Sequence, residues 1–99
     1  MQNWYTKSTE DLCKAILSLK TKEECCAFLE DICTIKEIQD ISQRLQVARM
    51  LSQGISYNTI CKETGASTAT ISRVSRCHEY GAGGYKTVIA RLNEEKNDA

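Results

Sequence analysis

The stretch Gly65-Ala66-Ser67-Thr68-Ala69-Thr70-Ile71-Ser72-Arg73 decides the reading of this chain. Gly65 suits a tight turn, because glycine alone takes positive φ without steric cost. Ser67 suits a helix N-cap. Ile71 and Val74 then fall one turn apart and supply an apolar face. Upstream, Ser56 predicts another cap, Ile60 and Cys61 face inward, and Gly65 ends that short helix. Cys61 is the small residue that lets two helices cross closely. Two short helices joined across such a turn read as a helix-turn-helix, an element that places its second helix in the DNA major groove.

Each residue type on this element has a chemical use against DNA. The face opposite Ile71 and Val74 offers Thr68, Thr70, Ser72, Arg73 and Arg76. Thr68 and Thr70 can donate or accept at base edges, and a threonine methyl or Ala69 can meet a thymine methyl. Arg73 and Arg76 can reach phosphates, or a guanine where the helix tilts inward. Ser56, Tyr57 and Lys62 sit where the first helix of the motif crosses the DNA backbone, and the N–H groups at its start favour a phosphate. Ser67, as cap of the second helix, belongs to the same surface. On this reading Thr68 and Thr70 set base preference, and Lys62 sets affinity for all sequences alike.

The formal net charge is zero, which taken alone argues against a nucleic-acid partner. Its distribution argues the other way. Residues 1–43 carry five Lys against eight Asp/Glu, net −3. Residues 44–92 carry Arg44, Arg49, Lys62, Arg73, Arg76, Lys86 and Arg91 against Glu63 and Glu79, net +5, and the tail 93–99 is net −2. A basic segment centred on the helix-turn-helix is what phosphate binding requires.

The 99 residues suit one domain with a single modest core, and the absence of proline favours helices. No apolar run is long enough to cross a membrane and the N-terminus is polar, so a soluble, cytoplasmic protein is the default. The six cysteines, Cys13, Cys25, Cys26, Cys33, Cys61 and Cys77, include no C-x-x-C pair, and His78 is the lone histidine. They read first as small hydrophobes in a reducing compartment, with a reactive thiol or a metal site as alternatives. No nucleophile–base set is present, so the chain does not read as an enzyme and no cofactor is called for.

Six helices are expected. The first starts near Ser8 with Asp11 as a box-like acid, and carries Leu12, Ile16 and Leu19. The second starts at Thr21 with Glu24, and the third at Thr34 with Glu37, each pair a capping box. The second carries Cys25, Phe28, Leu29 and Ile32. The third carries Ile38, Ile41, Leu45, Val47, Ala48 and Leu51 and stops at Gly54. The helix-turn-helix occupies 55–80, with Cys77 a further inner residue of its second helix. Gly81-Ala82-Gly83-Gly84 is a break, and a C-terminal helix covers 85–93, followed by a frayed polar tail. The narrow N-terminal stripes bury little by themselves, which favours residues 1–54 as dimerisation helices within a single domain 1–99.

Residues 34–92 resemble the tryptophan-repressor superfamily, and within it the YerC/YecD branch. The resemblance rests on Gln43-Arg44-Leu45, Val47-Ala48-Arg49-Met50-Leu51, Gly54-Ile55-Ser56-Tyr57, the string at 65–73, and Tyr80-Gly81-Ala82-Gly83-Gly84-Tyr85. It implies an all-α, intertwined homodimer with two helix-turn-helix heads on successive major grooves. It also implies a transcriptional regulator, most often a repressor, bound to double-stranded DNA at a palindromic operator. In the tryptophan-binding member two arginines flank the indole, and Arg44 and Arg73 match them. That member has glycine after the second arginine; here the residue is Val74, whose isopropyl group projects toward the ligand's space. Tryptophan or another small effector is therefore an open expectation. Two other readings stay open from sequence: a thiol- or metal-responsive DNA-binding regulator, and a helical protein-interaction module that does not bind DNA.

Overall fold

A computed structural model describes residues 3–98, the last three by backbone alone. Six helices are present among them: α1 (Lys7–Leu17), α2 (Lys22–Ile32), α3 (Ile35–Ser52), α4 (Tyr57–Thr64), α5 (Thr68–Tyr80) and α6 (Gly84–Asp98). The chain divides into two compact units, Met1–Ile38 and Gln39–Ala99, with the boundary in the first turns of α3.

The helix starts follow side-chain chemistry. Thr34 and Glu37 form a reciprocal box, with Glu37 N–H donating to Thr34 Oγ1 (3.1 Å) and Thr34 N–H to Glu37 Oε1 (2.8 Å). At α2 the box is shifted. Thr21 Oγ1 accepts from Glu24 N–H (3.1 Å), but the Glu24 carboxylate reaches one residue further back and accepts from Lys20 N–H (2.8 Å). The start of α1 differs from the expected Ser8 with Asp11. Thr6 is the cap and Thr9 its box partner, because two threonine hydroxyls can satisfy both orphan N–H groups. Asp11 instead pairs with Lys7 at 2.8 Å, one turn back on an exposed face.

Neither α1 nor α2 contains a fully buried residue. The stripe predicted on α1 is open to solvent, with Leu12 39% and Ile16 50% exposed. Phe28 and Leu29 on α2 are half-buried.

The core lies in the second unit. Val47, Ala48, Met50, Ile60, Ala66, Ile71, Val74 and Ile89 are buried and form one cluster, with Leu51, Ile55, Cys61 and Tyr85 packed around it. The end of α3 points the chain into this cluster. Ile55 N–H donates to Met50 O (3.1 Å) and Gly54 N–H to Leu51 O (3.0 Å), a Schellman closure that seats Ile55 against the core. Cys77, expected on the inner side of α5, is exposed.

Two features of the C-terminal part depart from expectation. Helix α6 begins at Gly84 and runs to Asp98, past the expected end near residue 93. Residues 93–98 contain no glycine or proline, and their Glu and Lys are good helix formers, so nothing breaks the helix there. Gly81 is also required for a reason the sequence hides. A Cβ placed on it would lie 2.3 Å from the Cys77 carbonyl oxygen, the same oxygen that accepts the Gly81 N–H (2.9 Å). Gly84 has open space around it. We expect Gly81→Ala to destabilise the fold by about 1–3 kcal/mol, since backbone must move. Gly84→Ala is expected to be neutral or to stabilise by about 0.5 kcal/mol through the unfolded state. Urea unfolding of the two variants, three positions apart, is expected to show a lowered midpoint for Gly81→Ala and an unchanged or raised one for Gly84→Ala.

Candidate nucleic-acid interface

Helices α4 and α5 form the expected helix-turn-helix. Ser56 caps α4 and accepts from Thr59 N–H (3.3 Å); Ser67 caps α5 and accepts from Thr70 N–H (3.1 Å). Gly65 ends α4 at φ +76°, with its N–H on Cys61 O (2.9 Å). Thr64 completes the turn: its hydroxyl donates to Ile60 O (2.7 Å) and accepts from Ala66 N–H (3.1 Å). Gln43 on α3 holds the same corner through Nε2 to Thr64 O (3.1 Å). Ala66 is buried, so the turn itself is seated in the core.

Packing fixes which face of α5 looks outward. Ile71 and Val74 are 0% and 1% exposed and lie in the cluster with Ile60. Thr68, Ala69, Ser72, Arg73 and Arg76 are all exposed. With 3.6 residues per turn these five share one side of the helix, away from Ile71 and Val74. Ser56, Tyr57, Lys62 and Ser67 are exposed as well. Thr70 is the exception among the candidate residues: it is half-buried, one turn from Val74. Among the described residues, Lys62, Arg73 and Arg76 take part in no ion pair, so their charge is available to an external anion.

A groove of about 500 Å³ lies on another side of the same unit, lined by α3, α5 and α6. Its walls include Ile41, Arg44, Leu45, Cys77, Tyr85 and Val88. Arg44 therefore lines a cavity, whereas Arg73 is not among its lining residues. Burial pushes the Tyr85 phenol above its ordinary range, while the nearby Arg44 charge pulls it down and Cys77 pushes it up.

Thr59 is not among the residues read from sequence, and Gln43 and Gly81 enter there only within longer strings, without these contacts. The signal for Thr59 was present: Ser-x-x-Thr occurs at both 56–59 and 67–70. Gln43 acts across the fold on the Thr64 carbonyl, and no local pattern announces it; Gly81 acts locally, as the cap that closes α5 on the Cys77 carbonyl.

Residues 7–93 match the Trp repressor protein family. The chain is similar to the uncharacterised protein YerC of Bacillus subtilis (strain 168), at 52% identity over 93 residues, covering 94% of this chain and 89% of YerC. In structure it is similar to a candidate Trp repressor of Staphylococcus aureus, with a TM-score of 0.88 and 48% identity, covering 94% of this chain and 95% of that one. It is also similar to a TrpR-like protein of Eubacterium eligens ATCC 27750, with a TM-score of 0.86 and 52% identity, covering 89% and 91%. The six-helix all-α architecture is that of these relatives. A family match over most of the chain, together with identities near one half, leads to one conclusion: this chain belongs to the Trp repressor family.

Proposed function

We propose that the chain is a sequence-specific DNA-binding transcriptional regulator, a repressor that acts as a homodimer on a palindromic operator. One observation carries the reading. The recognition helix buries Ile71 and Val74 and turns an uninterrupted small, hydroxylated and cationic face outward. Thr68, Ala69 and Ser72 have the size and chemistry to meet base edges, and Arg73, Arg76 and Lys62 to meet phosphates. Family membership supports the same function, since Trp repressors are regulators rather than enzymes. Among the described residues no helix is long and apolar enough to cross a membrane.

The homodimer is supported by what α1 and α2 leave uncovered. Leu12, Ile16, Leu17 and Ile32 are exposed, Leu17 to 82%. Apolar stripes of this kind are stabilised when a second copy covers them, at roughly 25 cal/mol per Å² buried. Residues 1–54 then serve dimerisation and 55–80 serve DNA. A two-fold dimer presents two recognition helices to half-sites about 34 Å apart.

Tryptophan does not fit this reading. Val74 is a packed core residue, and Arg73 does not line the groove beside Arg44. Neither arginine pairs with a described carboxylate. Both can serve phosphates instead.

Genomic DNA fragments selected by the purified chain test the function, with and without added tryptophan. An enriched palindromic motif is expected, and its recovery is expected to be the same in both arms. No enrichment at low salt would remove the DNA reading. For Lys62→Ala we expect weaker binding to all sequences and a log–log salt slope smaller by about 0.9, one phosphate contact. For Ile16→Asp we expect the solution mass by sedimentation to fall from twice 11.1 kDa toward the single-chain value. An unchanged dimer would remove α1 from the interface.

A further inference from the structure

We infer that Thr70 and Ser67 position the recognition helix and that base readout belongs to Thr68, Ala69 and Ser72; this rests on the DNA-binding reading above. At the start of α5 the two side chains close on each other. Thr70 N–H donates to Ser67 Oγ (3.1 Å), and the Ser67 hydroxyl donates to Thr70 Oγ1 (3.1 Å). Ser67 has one proton and spends it on Thr70, so it has no donor left for a base. Thr70 accepts that proton and is half-buried, one turn from the fully packed Val74 and on its side of the helix. Thr68, Ala69 and Ser72 are exposed on the other side, and the hydroxyls of Thr68 and Ser72 make no hydrogen bond to any described residue.

The same pair of bonds recurs one helix earlier. Thr59 N–H donates to Ser56 Oγ (3.3 Å), and the Ser56 hydroxyl donates to Thr59 Oγ1 (3.0 Å). A Ser-x-x-Thr closure at the start of both helices is a device of the fold, independent of which bases are read. Its consequence for recognition is physical. Thr68 and Ala69 are the first two residues of α5, so their placement depends on a first turn that does not fray. A frayed turn must be reordered whenever DNA binds, whatever its sequence. Loss of the closure therefore weakens every complex to a similar degree and leaves the order of preference intact.

The test uses the full chain with Ser67→Ala, Thr70→Val, Thr70→Ser and Thr68→Ala. Selection from a random duplex pool gives the preferred motif, and titrations on that motif and its single-base variants give relative affinities. Ser67→Ala is expected to lower affinity about fivefold on every duplex, the loss of one cap, and Thr70→Val about twofold, since it loses the hydroxyl contact and keeps the N–H bond to Ser67 Oγ. The rank order of duplexes is expected to stay that of the wild type, and Thr70→Ser to restore affinity. Thr68→Ala is expected to reorder the duplexes. In the DNA-free protein the Thr70 amide is expected to exchange faster in Ser67→Ala, as its acceptor is gone. A reordered motif in Thr70→Val, or wild-type affinity in both Thr70→Val and Ser67→Ala, would overturn the inference alone. A wild-type chain that selects no motif overturns the DNA reading itself.

Discussion

The helix-turn-helix depends on the joint burial of Ile60, Ile71 and Val74. These three side chains come from both helices of the motif and are essentially without solvent contact. At roughly 1.5–3 kcal/mol each, their burial outweighs a helix cap at about 1 kcal/mol and an exposed ion pair at under about 1 kcal/mol. Packing therefore sets the rotation of α5, and the caps only sharpen its first turn. Ala66, buried between the helices, ties the turn to the same cluster. Once that face is fixed, helical periodicity leaves no freedom in which residues point outward. The surface proposed to meet DNA is a by-product of how the inner face packs.

Much of this was legible because the cues were local. Thr34 with Glu37, Ser56, Gly65 and Ser67 each act within three or four residues, and each sits where the sequence pattern puts it. The misplacements have equally local causes. At α1 several hydroxyls and acids compete for the cap, and Thr6 with Thr9 wins over Ser8 with Asp11. At the C-terminus polarity alone does not end the helix, because Glu- and Lys-rich sequence extends it readily. What stayed hidden depends on the fold. The reach of Gln43 to Thr64 exists only once α3 and α4 are packed, and the groove beside Arg44 only once α3, α5 and α6 are assembled. In the site, burial separates Thr70 from Thr68, two residues that composition treats as equivalent.

The zero net charge illustrates the same point for electrostatics. Phosphates respond to charges within about a Debye length, roughly 8 Å at physiological salt, and little to a chain-wide sum. Seven cations lie in residues 44–92 with two acids, while the acids concentrate in residues 1–43 and in the tail. A segregated chain of this kind can stay neutral overall and still present an anion-attracting surface. The acids of α2 and α3 also have local employment, since Glu24 and Glu37 are held by caps.

Val74 brings the structural and functional arguments to one position. A glycine there would open space beside α5 and lower its helical stability by about 1 kcal/mol relative to alanine. A small ligand could then restore the missing contacts, and recognition-helix order would depend on that ligand. Valine fills the space with its own side chain and joins Ile71 in the cluster. The helix is thereby packed at this position by the chain's own core. On the function proposed here, DNA affinity is then set by the protein's own core, and control passes to whatever governs the amount of dimer.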